Sequence, residues 1–239
     1  MANWLAILAL GFFLGVRHAT DADHVVAVAA IVSRERTARA ALGIGALWGL
    51  GHTATILLVG GAIVLFGLVI PPRVGLSMEM SVAVMLVVLG IMNVTGAARA
   101  IHEKAAPEDV HREAPGLRHE HPALTRAGGR ALRPLIVGVV HGMAGSAAIA
   151  LLVLATIRSA AWALVYLAVF GVGTILGMVM LTSAMAVPVA RFAGRSQNVE
   201  RTLSRITGLV SISLGVFLAY RIGVVDGLFA GEPPRWTPR

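Results

Sequence analysis

Two imidazoles and two carboxylates fall within the seven residues His18 to His24 of "RHATDADH", as His18, Asp21, Asp23 and His24, directly behind Arg17. Nitrogen and oxygen donors at that density suit a divalent first-row metal: imidazole favours Ni, Co, Cu or Zn, and carboxylate works against Cu(I). On a regular helix, at about 100° per residue, His18, Asp21 and His24 share an arc of roughly 120° while Asp23 points elsewhere. If the helix unwinds here, Asp23 joins the group or orients one of its imidazoles from behind. Arg17 and Asp21, one helical turn apart, also have the spacing of a local ion pair. Such a pair leaves Asp23 and both histidines unexplained.

Two more histidines belong to the same candidate group, His52 in "GLGHTAT" and His141 in "VVHGMAGSAA". Gly49, Gly51, Gly142 and Gly145 stand beside them, and such small residues let helix backbones approach until side chains of several helices converge. The candidate metal ligands are therefore His18, Asp21, Asp23, His24, His52 and His141. The chain has no cysteine, so thiolate ligands, disulfides and cysteine nucleophiles are excluded and the redox compartment is left open.

The elements that carry these residues are apolar. Hydrophobic residues make up 57% of the chain, charged residues only 13%, and the mean hydropathy is +0.81; soluble domains have roughly 45–50% and 25%. The composition is that of an integral membrane protein, all-α, in one membrane domain. Six apolar segments separate, at about 2–33, 40–70, 76–98, 132–157, 160–188 and 203–225, each reaching the ~20 residues needed to span a bilayer. The first lacks the basic leader and cleavage site of a signal peptide and reads as a retained helix. The first, second and fifth exceed the necessary length, which predicts tilting, kinking or a break. Glycines in "GIGALWGLGH" and "FGVGTILG" predict close helix contact or local unwinding.

Charge then orients the spans. The 20 basic residues are 19 arginines and one lysine. Apart from Arg17, alternate loops divide them 14 to 5 in favour of 34–39, 99–133 and 191–205, which the positive-inside rule places in the cytoplasm with both termini outside. The expected organisation is a three-helix repeat over 1–98, a flexible cytoplasmic loop over 99–131, a second three-helix repeat over 132–227 and a polar tail over 228–239. The loop holds His102, His111, His119 and His121, solvated side chains with a loose metal-delivery role as the alternative. Met143, Met178, Met180 and Met185 read as helix packing rather than a thioether path.

The halves align with one another. "GVRHATDADHVVA" from 15 matches "GVVHGMAGSAAIA" from 138, "WGLGHTATILL" from 48 matches "FGVGTILGMVM" from 170, and "VVLGIM" from 87 matches "ISLGVF" from 212. His18 thereby lies over His141 and Asp23 over Ser146. Three helices per copy is an odd number, so the second copy enters from the opposite side, the inverted-repeat plan of many secondary transporters with a substrate site at the midplane. Ionised Arg17, Asp21 and Asp23 would together cost roughly 7–10 kcal/mol at a helix centre if unpaired. A bound cation offsets that cost.

"RHATDADH" fits the pattern His, four residues, Asp, His of the nickel/cobalt transporter family, as His18, Asp23 and His24. "LGHTATILL" resembles that family's Gly-His motif in the next helix, and "HGMAGSAA" resembles the second-half motif of its shorter relatives associated with urease accessory proteins. The better-known members have eight helices, one of them before the signature helix; here the signature lies in the first. The resemblance implies passage of Ni²⁺ or Co²⁺ across the inner membrane, with no cofactor, the signature His and Asp residues essential and a metalloenzyme-maturation system such as that of urease as a partner. Two other classes compete. An intramembrane hydrolase would use His141 with Ser146, or a zinc on the first-helix histidines, but the chain has neither an HExxH pattern nor a GxSxG-type turn. A transporter of an organic substrate would use the charged group as a proton relay.

Overall fold

The computed structural model describes residues 4–33, 38–97, 123–143, 153–154, 156–193, 197–230 and 234–236. Among them are seven α-helices and no strand: α1 (Trp4–His18), α2 (Ala22–Val32), α3 (Ala38–Phe66), α4 (Pro72–Thr95), α5 (Ala123–Met143), α6 (Ala160–Ala193) and α7 (Gln197–Tyr220). A π-helical turn, Arg221–Val225, prolongs α7. Four stretches are long and apolar enough to cross a membrane, Arg39–Phe66, Pro72–Thr95, Ala160–Pro188 and Asn198–Val225. The pair α1 and α2 passes the same test as one broken span, bent by 52°. Leu132–Met143 is a shorter apolar helix, continuing the expected fourth segment only as far as the described residues run.

The break in the first segment has a local cause. Thr20 N–H and its hydroxyl both bond the Arg17 carbonyl, at 2.8 and 2.6 Å, and Asp21 N–H bonds the His18 carbonyl at 3.1 Å. These tight turns close α1 early. Asp21 is then extended, φ −63° and ψ 149°, and starts α2 as its N-cap residue without using its side chain as the cap. At the far end of α2, Asn93 of α4 donates to the Ala30 carbonyl at 2.7 Å, and the Ser33 hydroxyl to the same oxygen at 3.1 Å. The short helix is thus tied down at both ends.

The glycine-rich stretches of α3 and α6 remain helical, and the glycines serve contact rather than unwinding. A Cβ on Gly49 would stand 2.8 Å from the Ile175 Cα, and one on Gly171 2.2 Å from the Thr53 Cγ2. Residue numbers rise along α3 as they fall along α6, so this pair is antiparallel; α1 runs parallel to α6, and α3 parallel to α5. At Gly15 a Cβ would meet the Phe170 carbonyl oxygen at 2.1 Å and the Thr174 nitrogen at 2.8 Å; at Gly138 it would meet the Trp48 oxygen at 2.2 Å and the His52 nitrogen at 3.0 Å. On α4 and α7, Gly90 faces Gly208 and Ile212 while Gly215 faces Ala83 and Val87. Where lipid replaces water, such close packing is what binds one helix to another.

Leu5, Phe13, Leu58, Leu65, Phe66 and Val172 are among many large apolar side chains turned outward, as on a bundle that meets lipid rather than water. Of the four methionines, Met178 is fully buried in the core beside Trp48, and Met185 packs against it. The chain after α7 folds back on α4: the Trp236 indole donates to the Glu79 carboxylate at 2.8 Å, its ring filling the space over Gly75. Helix α5 begins at Ala123, so residues 123–131 have helical backbone within the stretch expected as a flexible loop. The "ALTRAGGRALR" sequence extends the helix past its apolar part, with Pro122 before its start. His102, His111, His119, His121 and Ser146 lie outside the described residues.

Candidate metal site

The six candidate ligands come from four helices and the break. His18 ends α1, Asp21 lies in the break, Asp23 and His24 stand in the first turn of α2, His52 in the middle of α3 and His141 near the end of α5. The structure brings His18, Asp23, His24, His52 and His141 together, and Asp21 borders the group. His24, His52 and His141 are fully buried, and His18 is 6% exposed.

The regular-helix expectation for Asp23 does not hold, because the helix is broken. Re-starting at Ala22 turns Asp23 inward, its Oδ1 3.2 Å from His24 Nδ1 and its Oδ2 3.6 Å from His141 Nε2. Asp21 takes the matching role toward His18, with Oδ2 2.8 Å from Nδ1. Arg17 is exposed, so the Asp21 carboxylate answers an imidazole rather than the guanidinium four residues back.

These contacts fix which ring nitrogens are free. A carboxylate accepts, so Nδ1 of His18 and of His24 each carries the proton and Nε2 carries the lone pair in the neutral ring. A carboxylate behind an imidazole is the usual arrangement for a metal-ligating histidine, since it sets the tautomer and raises basicity. His18 Nε2 meets His52 Nε2 at 3.0 Å. Two ligands at the 2.0–2.1 Å usual for a metal–nitrogen bond stand about 3.0–3.4 Å apart in cis-octahedral or tetrahedral geometry. His24 Nε2, His52 Nδ1 and both nitrogens of His141 are buried with no hydrogen-bond partner among the described residues. Buried polar atoms are rarely left so.

Two sets of three side chains place potential ligand atoms within 4.8 Å of one another: His18 with His24 and His52, and Asp23 with His24 and His141. Trp48 and Phe170 wall the group. The Trp48 ring centroid is 5.2 Å from that of His141 and 6.2 Å from that of His24, and Phe170 is 5.6 Å from His18. Neither aromatic stood among the candidates from sequence. Their signal was present, since Trp48 precedes His52 by one turn and Phe170 is its partner in the alignment of halves. Asn93 and Glu79 were also passed over, two polar residues of the mainly apolar α4.

Comparison with known proteins gives the geometry its context. The family model described as "High-affinity nickel-transport protein" (NicO) matches residues 3–228. The chain is 36% identical to the urease accessory protein UreH of Bacillus sp. (strain TB-90) over 225 residues, 94% of this chain and 95% of that one. It is 25% identical over 237 residues to the Arabidopsis thaliana chloroplast protein FOR GROWTH AND FERTILITY 1, covering 96% of this chain and 61% of the plant protein. No solved structure matches. A bundle of apolar helices with buried imidazoles and a carboxylate at its centre, matched over almost its whole length by that model, belongs to the NicO family of nickel-transport membrane proteins.

Proposed function

We propose that the chain carries Ni²⁺ or Co²⁺ through the bilayer, and that His18, Asp23, His24, His52 and His141 hold the ion at the midplane while Asp21 orients His18. One observation carries this reading: the two signature imidazoles each rest Nδ1 on a carboxylate, while Nε2 of His18 meets His52 and the buried Nε2 of His24 has no hydrogen-bond partner among the described residues. A +2 ion there makes the carboxylates stabilising and keeps the imidazoles as neutral ligands.

The reading includes six spans arranged as a 3+3 inverted repeat. Its support is that the close contacts recur at the alignment offset. Gly15 against Phe170 and Thr174 becomes, 123 and 122 residues away, Gly138 against Trp48 and His52. Helix polarity agrees: α3 is antiparallel to α6 only if an even number of crossings lies between them, as α4 and a crossing that includes α5 provide. The 52° bend leaves α2 advancing in the same general sense as α1, as a broken span does. The division of basic residues supports the further reading that both termini lie outside. The resemblance to a urease accessory protein supports supply of the metal to a maturation system such as that of urease.

The test is flux of radiolabelled nickel and cobalt into proteoliposomes with an imposed proton gradient. Ion accumulation above that of empty vesicles is expected, and none would refute the reading. Cysteines placed singly near 36, 118 and 198 should resist labelling from outside in cells, and those near 74 and 232 should label. Outside labelling at 118 would overturn the orientation.

A further inference from the structure

Resting on the proposed transport of a divalent cation by this cluster, we infer that the ion occupies two alternating positions that share His24. The first position has imidazole ligands only, from His18, His24 and His52; the second combines the Asp23 carboxylate with His24 and His141. Each set meets within 4.8 Å, and His24 is the one side chain common to both.

Geometry separates the positions. Two ligands of one ion at bond lengths of 2.0–2.1 Å stand at most about 4.2 Å apart, so a single centre draws on compact sets of donors. The His24 ring centroid lies 4.8 Å from that of His18, 5.1 Å from that of His52 and 4.7 Å from that of His141. It stands between the two groups rather than at the edge of one. The Phe170 ring lies by His18 and the Trp48 ring by His141. The imidazole-only set therefore adjoins Phe170, and the carboxylate set Trp48.

Exclusive occupancy follows from the His24 ring. A neutral imidazole has one lone pair, on whichever nitrogen lacks the proton, and one lone pair serves one ion at a time. Two +2 charges in adjoining positions would also repel four times as strongly as two monovalent ions. Because His24 is a donor to both sets, the ion passes from one to the other across a single ring. Conduction needs binding that is strong enough to admit the ion and divided enough to release it. The different donors make the positions chemically distinct, since a carboxylate is a harder ligand than the imidazole it replaces.

The experiment is Co²⁺ binding to the purified full-length chain in detergent, followed by stoichiometry and by visible and X-ray absorption, for the wild type and for His52→Ala, His141→Ala and His24→Ala. Wild type should bind one ion per chain. His141→Ala should retain one ion with a nitrogen-only spectrum, and His52→Ala one ion with a mixed nitrogen–oxygen spectrum. His24→Ala should weaken binding by at least ~100-fold, beyond what loss of a mere supporting contact produces. The isosteric variants His52→Asn and His141→Asn repeat the comparison where alanine reduces the yield of monodisperse protein. Two ions per wild-type chain, or identical residual spectra in the His52 and His141 variants, would overturn the two-position arrangement while leaving metal transport standing. A wild-type chain that binds no Co²⁺ and no Ni²⁺ would remove the transport reading and this inference with it.

Discussion

The two halves of the molecule pack their helices alike and equip them differently. Gly15 and Gly138 each bring a helix onto the backbone of the next, against Phe170 and Thr174 in one case and Trp48 and His52 in the other. At these matched places one half offers the imidazole of His52, and the other a threonine whose hydroxyl only bonds back to the Phe170 carbonyl at 3.0 Å. His18 and His141 correspond, yet His18 is backed by Asp21 at 2.8 Å while Nδ1 of His141 has no carboxylate behind it among the described residues. Close packing thus requires residue size at both places, whereas chemistry requires functional groups at one. The comparison separates scaffold from site.

The largest effect should come from the scaffold. Gly15→Leu and Gly138→Leu each drive a side chain into a backbone carbonyl that would lie 2.1–2.2 Å from the new Cβ. Backbone of a packed helix yields less readily than a side chain, so the cost should exceed the ~1–3 kcal/mol typical of overpacking. Both variants should lose most monodisperse protein on size-exclusion chromatography, and to similar degrees. A well-folded Gly138→Leu beside a collapsed Gly15→Leu would break the likeness of the halves.

Exchanging the matched polar residues gives the next effect. His52→Ala should lower nickel or cobalt affinity by ~10–100-fold, the scale of losing a group that holds or supports a metal. Thr174→Ala removes one intrahelical bond and should change affinity less than about twofold. Equal losses in titrations of the two variants would mean that the threonine shares the site. A smaller change is expected from Asp21→Asn, whose amide can still accept from His18 Nδ1 but no longer bears charge. Flux at an intermediate level, between wild type and the signature-histidine variants, is the expected outcome; complete loss would make Asp21 a ligand in its own right.

Much of this was legible before the structure because apolar runs and misplaced charge are both one-dimensional signals. Lipid requires long apolar helices, and no soluble function requires His18, Asp21, Asp23 and His24 amid them, so the segments and the ligand set could be read together. The place of Asp23 was legible only as an alternative, conditional on a break in the helix. Its direction depends on the hydrogen bonds of Thr20 and Asp21 that end α1, and the helical period carries no trace of that break. The roles of glycines were legible only as alternatives, since contact and unwinding use the same residue; the antiparallel seating of α3 on α6 decides for contact. Trp48 and Phe170 escaped notice because an aromatic in an apolar helix is ordinary. Only their rings against His141 and His18 distinguish them.

The central claim is that the buried imidazoles exist to bind the passing ion, and its most direct test pairs binding with flux in the same preparations. Radiolabelled nickel and cobalt uptake into proteoliposomes, and equilibrium binding in detergent, should be measured for the wild type, His18→Ala and His24→Ala at matched folded yield. Folded yield is matched because removing His24 leaves the buried Asp23 carboxylate without its nearest imidazole, and both variants should lose flux and tight binding together. If both transport and bind both metals at wild-type levels, the charge in "RHATDADH" serves an ion pair or a proton relay, and the metal-site account is wrong.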